Sequence, residues 1–158
     1  MVDSPAVTAA LALGLAHEVV TYRRVSSAEE AAAARGIELD QLIKTLVVRR
    51  AESDYVFVLI PGDRAIDWPK LRTALGVSRL SLPDAEEARA ATGYERGTIT
   101  PLGASHAWPV FMDQRLLERS VVSIGAGKNG VAINCAPTDL ADQTAAATGD
   151  FTKKILSP

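Results

Sequence analysis

Apolar positions recur along the chain at two spacings, and these divide it into short helices and strands. From Pro5 to Ala16, the residues Val7, Leu11, Leu13 and Leu15 lie loosely on one helical face, which predicts a first helix. Val19 to Val25 follows as a β-branched run around Tyr22 and predicts a strand. Ser26 and Ser27 stand three residues before Glu29 and Glu30, giving overlapping capping boxes. The alanine run they open ends at Arg35-Gly36, as a helix with a terminal glycine should. Lys44 to Arg50 and Tyr55 to Ile60 are β-rich runs joined by four polar-turn residues, Ala51 to Asp54, and predict a hairpin.

Further on, Asp67 caps a helix that carries Pro69 in its first turn, Leu71, Ala74 and Leu75 on its apolar face, and Gly76 at its end. Val77 to Leu82 reads as a short strand. Pro83-Asp84 opens another helix, with Glu86 and Glu87 in its first turns and Gly93 at its stop. Gly93 to Pro109 holds too many glycines and prolines for a helix or a central strand. It predicts a long loop, ordered by the apolar anchors Ile99, Leu102 and Trp108. Strands at Val110 to Asp113, Ser120 to Ile124 and Gly130 to Cys135 precede a last helix, Pro137 to Ala147. The tail Phe151 to Pro158 is expected to fray. No repeat or flexible linker interrupts this order, so residues 1–158 read as one mixed α/β (α+β) domain: a curved mixed sheet or partial barrel surrounded by helices.

Composition narrows the chemistry. A chain of 158 residues, 47% apolar, buries roughly 70% of its unfolded surface, enough for a core without disulfides or structural metal. One cysteine, Cys135, and two histidines, His17 and His106, exclude a disulfide framework and the Cys/His zinc signatures; no metal or cofactor is expected. The longest apolar stretch near the amino end stops at His17-Glu18, short of a membrane span, and no basic leader precedes it. The expected location is cytoplasmic, with no membrane partner. A net charge of -2 argues against holding nucleic acid by bulk charge. Arg23, Arg24, Arg49, Arg50, Arg64, Arg72 and Lys128 are dispersed in sequence and read mostly as a mixed-charge surface.

Gly125-Ala126-Gly127-Lys128-Asn129-Gly130 matches a dinucleotide-binding glycine pattern, but a strand follows it where the fingerprint needs a helix. It reads as a hairpin turn whose backbone N–H groups can approach a phosphate, a ribose hydroxyl or an ester carbonyl. Neither histidine has a recognisable nucleophile partner, Cys135 reads as a small buried hydrophobe, and the paired glutamates sit where helix first turns favour them. Two features stand apart. Lys44 shares the strand face of Leu46 and Val48, so it either caps the strand in solvent or projects into a cleft beside the core. Gly97 and Pro101 fix a tight path in the long loop that can aim N–H groups at one spot, as an oxyanion hole does.

Taken together, Lys44-Thr45-Leu46, Lys70-Leu71-Arg72, Leu75-Gly76, Thr92-Gly93-Tyr94, Gly97-Thr98-Ile99-Thr100-Pro101-Leu102-Gly103, Ser123, Gly125 to Gly130 and Asp139-Leu140 resemble the YbaK/EbsC family of aminoacyl-tRNA deacylases, related to the editing domain of bacterial prolyl-tRNA synthetases. The resemblance runs from about Tyr22 to the last helix. It implies hydrolysis of the ester in a mischarged tRNA, most characteristically Cys-tRNA(Pro) or another small amino acid on tRNA(Pro). It implies catalytic roles for Lys44, Gly97 and Pro101, and a pocket lined by Tyr22, Thr45, Thr98, Ile99, Thr100, Ser123, Gly125, Gly127 and Asp139. The implied partners are the acceptor end of an aminoacyl-tRNA and prolyl-tRNA synthetase, with monomer and homodimer both open. The segment from Arg23 to the alanine-rich helix is unlike that of cysteine-specific members, which leaves Cys, Ala, Ser or another residue open as the amino acid removed. The rival reading is a non-catalytic module that binds an aminoacyl group or nucleotide beside a synthetase.

Overall fold

A computed structural model describes residues 3–155. The first helix, α1 (Pro5–Leu13), is capped by the Ser4 side chain, which accepts from Val7 N at 3.1 Å. Strand β1 (His17–Thr21) begins and ends earlier than the β-branched run suggests, because its five residues pair one for one with β7 (Val131–Cys135). That register leaves Tyr22 and Arg24 beyond the strand, free to border a cleft. Helix α2 (Ala28–Arg35) follows with the expected Ser27 cap, then one 3-10 turn (Leu39–Gln41).

The centre is the antiparallel hairpin of β2 (Ile43–Ala51) and β3 (Asp54–Pro61). From Tyr55 to Pro61 every residue of β3 is buried, because both faces of the strand are covered. Phe57 and Leu59 join one core with Ile43, Val47 and Met112; Val56, Val58 and Ile60 join the other with Ile66, Leu71 and Phe151. Strand β4 (Arg64–Ile66) and helix α3 (Trp68–Leu75) close the second core, and α4 (Ala85–Thr92) leads into the long loop.

After that loop, β5 (Val110–Asp113) pairs in parallel with β3, a five-residue 3-10 stretch covers Gln114–Glu118, and β6 (Val122–Gly125) pairs with β7. Helix α5 (Pro137–Thr144), β8 (Ala147–Gly149) and β9 (Thr152–Lys154) complete the order. The expected mixed sheet is divided into three ladders, β1-β7-β6, β2-β3-β5-β8 and β4-β9. A parallel bridge from Leu42 to Ser123 ties the first two together, and among the described residues no strand closes them into a barrel.

Three expectations need correction. Val77 to Leu82 is not a strand: only Ser81 pairs, exchanging N–H···O bonds of 2.8 and 3.1 Å with Arg49 at the irregular end of β2. The last helix stops at Thr144, whose hydroxyl turns back to Leu140 O, so that 147–149 can run parallel to β5. The tail does not fray at Phe151. Phe151 and Thr152 are buried, and β9 pairs with β4; the remaining tail, 156–158, lies outside the described residues. The anchor is Asp113, a fully buried carboxylate that accepts from Phe151 N (3.0 Å), Thr152 Oγ1 (2.9 Å), Arg115 N (3.0 Å) and the Arg115 guanidinium. Nothing in the local pattern marks that tail as structured, because its partners lie about forty residues back.

The long loop is held by a different residue. Tyr94 is buried, and its hydroxyl donates to Leu102 O at 2.6 Å across the loop. Gly127, with φ of 77°, lies against the face of the same ring, and its N–H donates to Thr98 O at 2.9 Å. One phenol therefore joins the two glycine segments. Burial pushes its pKa up to about 12, so it stays a neutral donor throughout the working pH range.

Substitution tests each of these anchors. Asp113→Ala leaves buried N–H and guanidinium groups unpaired and is expected to cost about 3–5 kcal/mol in urea unfolding. In the same network, hydrogen bonds from Lys70 and then Arg115 hold the Asp150 carboxyl at about 2, against an ordinary 3.8. Its contribution is therefore complete above pH 3.8 and lost as pH falls through 2, and Asp150→Asn should remove that part of the acid-unfolding slope. At the loop, Gly127→Ala places a Cβ inside the Tyr94 ring surface and on a left-handed backbone, and is expected to destabilise by about 2–3 kcal/mol. Gly97→Ala, with φ of 88° but open space at the Cβ, should cost only about 1–2 kcal/mol by the same measurement.

Candidate active site

The Lys44 end of β2 forms the floor of a cleft of about 730 Å³, walled by α2 and the Tyr22 to Ser27 connection on one side and by the Gly97 loop and the Gly125 to Gly130 turn on the other. Of the two positions open to Lys44 from its strand pattern, it takes the cleft. It is half-buried, and its ammonium donates to Arg64 O at 2.6 Å, which tethers the long side chain while leaving two of its three N–H donors. Burial lowers its pKa, against the opposing pull of the Asp63 and Glu29 carboxylates. The adjacent Thr45 also lines the cleft, and its Oγ1 makes no hydrogen bond within the described chain.

The long loop contributes Gly97 and Ile99, whose backbone N–H groups take no acceptor among the described residues. Free N–H donors on a path held by Tyr94 are what polarising a carbonyl requires. Across the cleft, Gly125 and Gly130 bring backbone close without side chains. Tyr22 completes the set of expected residues that meet here: Tyr22, Lys44, Thr45, Gly97, Ile99 and Gly125.

The other expected site residues lie outside it. Thr98 and Thr100 are buried supports: Thr98 bonds Glu95 O and accepts from Gly127 N, and Thr100 Oγ1 accepts from Leu102 N. Pro101 shapes the loop without lining the cleft, and Gly127 faces Tyr94. Ser123 is fully buried and does not line the cleft, but touches two residues that do: its hydroxyl accepts from Arg35 and it pairs with Leu42. Asp139 is exposed in the first turn of α5, away from the cleft, where a carboxylate favours the helix amino terminus. His17 and His106 are also elsewhere, and the buried Cys135 thiol is pushed up to about 12, first by burial and then by the Asp139 charge. Among the described residues no three His, Cys, Asp or Glu side chains converge as a metal centre needs.

The residue that sequence reasoning missed is Arg35. Its Nη1 donates to Ser123 Oγ (3.3 Å), its Nη2 to the Tyr22 hydroxyl (3.1 Å), and its guanidinium carbon lies 4.9 Å from the Tyr22 ring centroid. As the last residue of an alanine-rich helix it reads as a terminal-turn cation, which hides its role. Arg96 was overlooked as well, being one charge in a turn. Arg24, Arg35, Lys44 and Arg96 all line the cleft, and no aspartate or glutamate does. In a protein of net charge -2, the charged side chains that line this cleft are all cations.

The profile of the aminoacyl-tRNA editing domain matches residues 23–143. A candidate Cys-tRNA(Pro)/Cys-tRNA(Cys) deacylase, EbsC of Enterococcus faecalis, is 31% identical over 128 residues, covering 81% of this chain and 78% of its own. The proline–tRNA ligase of Nitratidesulfovibrio vulgaris is 35% identical over 100 residues; the match takes in 63% of this chain but 17% of the ligase. A crystal structure of a candidate trans-editing enzyme for prolyl-tRNA synthetase superposes with a TM-score of 0.87 at 26% identity, over 97% of this chain and 99% of that one. None of the helices in residues 3–155 is long and apolar enough to cross a membrane. By the match over residues 23–143 and the EbsC relative, the chain belongs to the aminoacyl-tRNA editing domain family.

Proposed function

We propose that the chain is a trans-editing deacylase, which hydrolyses the ester between a wrong, small amino acid and the terminal ribose of a tRNA, with tRNA(Pro) as the tRNA and prolyl-tRNA synthetase as the enzyme it serves. The observation that carries this reading is the cleft itself: one tethered lysine, free loop N–H groups and only cations, with no carboxylate, on its walls. The polyanionic acceptor end of a tRNA suits those charges.

The same geometry suggests how such a site works without a side-chain triad. An aminoacyl ester is activated, so holding it in place and polarising its carbonyl supplies much of the acceleration. The Gly97 and Ile99 N–H groups and the Lys44 ammonium face the oxygen that gains negative charge as the carbonyl carbon is attacked. The bond from that carbon to the ribose oxygen then breaks, and that oxygen takes up the proton given off by the attacking nucleophile and leaves as a hydroxyl. The attacking oxygen is water, or the attacking atom is a nucleophile carried by the substrate. No lining histidine, cysteine or carboxylate competes for that role. Thr45 Oγ1, unpartnered within the described chain, is placed to bond a substrate hydroxyl.

The test is a panel of purified tRNAs mischarged with Cys, Ala or Ser, followed for amino-acid release over time. Wild type should turn over at least one of them, and Lys44→Ala should lose at least a hundredfold in kcat/KM with an unchanged circular dichroism spectrum. Because the working form of Lys44 is the ammonium and burial lowers its pKa, the rate should fall as pH rises, with a midpoint below 10.5. Full activity in Lys44→Ala removes that residue from the mechanism. Binding without turnover on every tRNA identifies a binding module instead.

A further inference from the structure

Arg35 carries a charge that the chain does not neutralise. Its two hydrogen bonds go to neutral hydroxyls, Ser123 and Tyr22, and its contact with the Tyr22 ring is a cation–π one. It forms no ion pair among the described residues, whereas Arg115 and Arg119 each pair with two carboxylates. Its Nε is buried without a partner. A half-buried guanidinium held by neutral groups beside a cavity keeps most of its attraction for an anion, because little solvent screens it and no carboxylate competes. The two hydroxyls fix the planar fork at the wall, so little side-chain entropy is lost when an anion arrives. Arg24 and Arg96, by contrast, are exposed at the rim, and the Lys44 ammonium is committed in part to Arg64 O.

We infer that Arg35 is a phosphate-binding residue: with Tyr22 and Ser123 holding its fork, it receives the phosphodiester of the terminal nucleotide and so fixes the depth at which the ester reaches Lys44. This rests on the proposed aminoacyl-tRNA substrate. It separates two kinds of cation in the cleft. Arg24 and Arg96 attract the strand at long range, and their removal weakens binding in a salt-dependent way. Arg35 recognises one phosphate at one place.

The experiment compares binding of 5′-AMP and adenosine to the full chain by calorimetry, in wild type, Arg35→Gln and Arg35→Lys. Wild type should bind AMP about tenfold or more tightly than adenosine. Arg35→Gln should lose that advantage while keeping its affinity for adenosine, and Arg35→Lys should retain only part of it, since an ammonium cannot present the planar fork. If Arg35→Gln fails to fold, the side-chain Nε resonance of Arg35 in wild-type protein serves instead, and must shift with AMP and not with adenosine. An AMP advantage that is absent in wild type, or unchanged in Arg35→Gln, overturns the inference. So does a preference for aspartyl or glutamyl esters that vanishes in Arg35→Gln while the AMP advantage stays, because Arg35 then reads the amino acid. The deacylase reading fails separately: an Arg35-dependent AMP advantage with no turnover on any mischarged tRNA upholds the phosphate site and removes the hydrolase.

Discussion

The site depends on one buried phenol. Tyr94 sits under the loop from Gly93 to Pro109, bonds Leu102 O with its hydroxyl, and offers its ring face to Gly127 in the opposite turn. A loop of this length loses substantial entropy when it closes, and it has few ladder bonds of its own to offset that cost. The compensation is concentrated at Tyr94, at the Thr98 O to Gly127 N bond, and at Thr92, whose hydroxyl accepts from Tyr94 N at 3.2 Å. The glycine at 127 is thus a steric requirement of the ring, and the one at 97 a conformational requirement of the turn. Loop N–H groups can only stabilise a developing charge if they are already in position, and this clamp places them there.

Charge shows the same separation between local and global properties. The acidic residues lie on helix first turns, in the Asp113–Arg115–Asp150 network and on exposed surface, while four cations border the cleft. The whole-chain value of -2 averages over these regions and conceals the field inside a concavity, where low-dielectric walls strengthen it. Bulk charge still does not attract nucleic acid, but α2 and the Gly97 loop, some sixty residues apart in sequence, bring Arg35 and Arg96 to one cleft.

Elements whose signals are local were legible in the sequence. The Ser27, Asp67 and Asp84 caps and the Gly36, Gly76 and Gly93 stops place three helices almost to the residue, and the β2–β3 hairpin falls within a residue or two of its pattern. Elements defined by a distant partner were not. β4 and β9 are three residues each and exist because Arg64, Ala65 and Ile66 meet Lys154, Lys153 and Thr152. Val77 to Leu82 has strand composition but finds only one partner, at Arg49. The site divides along the same line. Lys44 and Gly97 could be read from pattern and backbone demands, and the resemblance added Tyr22 and Thr45. It also carried over Ser123, which is buried and bonds Arg35, and Asp139, which is exposed in the first turn of α5.

That the wall residues differ in kind from the floor residues bears on selectivity. A cleft of about 730 Å³ is far larger than a cysteine, alanine or serine side chain, so in the proposed reading the terminal nucleotide takes up most of it. Distinguishing amino acids that differ by a methylene supplies only about 1–3 kcal/mol, and a wide cleft does not improve on that. In the proposed reading, discrimination turns on how far the ester advances toward Lys44 and the Gly97 loop before a larger side chain meets Val25, in the connection before α2, or Ala28 or Ala31 on α2 itself. A fixed contact to the nucleotide gives that advance a defined stop. Tight recognition of the part every aminoacyl-tRNA shares is then what allows a weak difference in side-chain size to become a difference in rate.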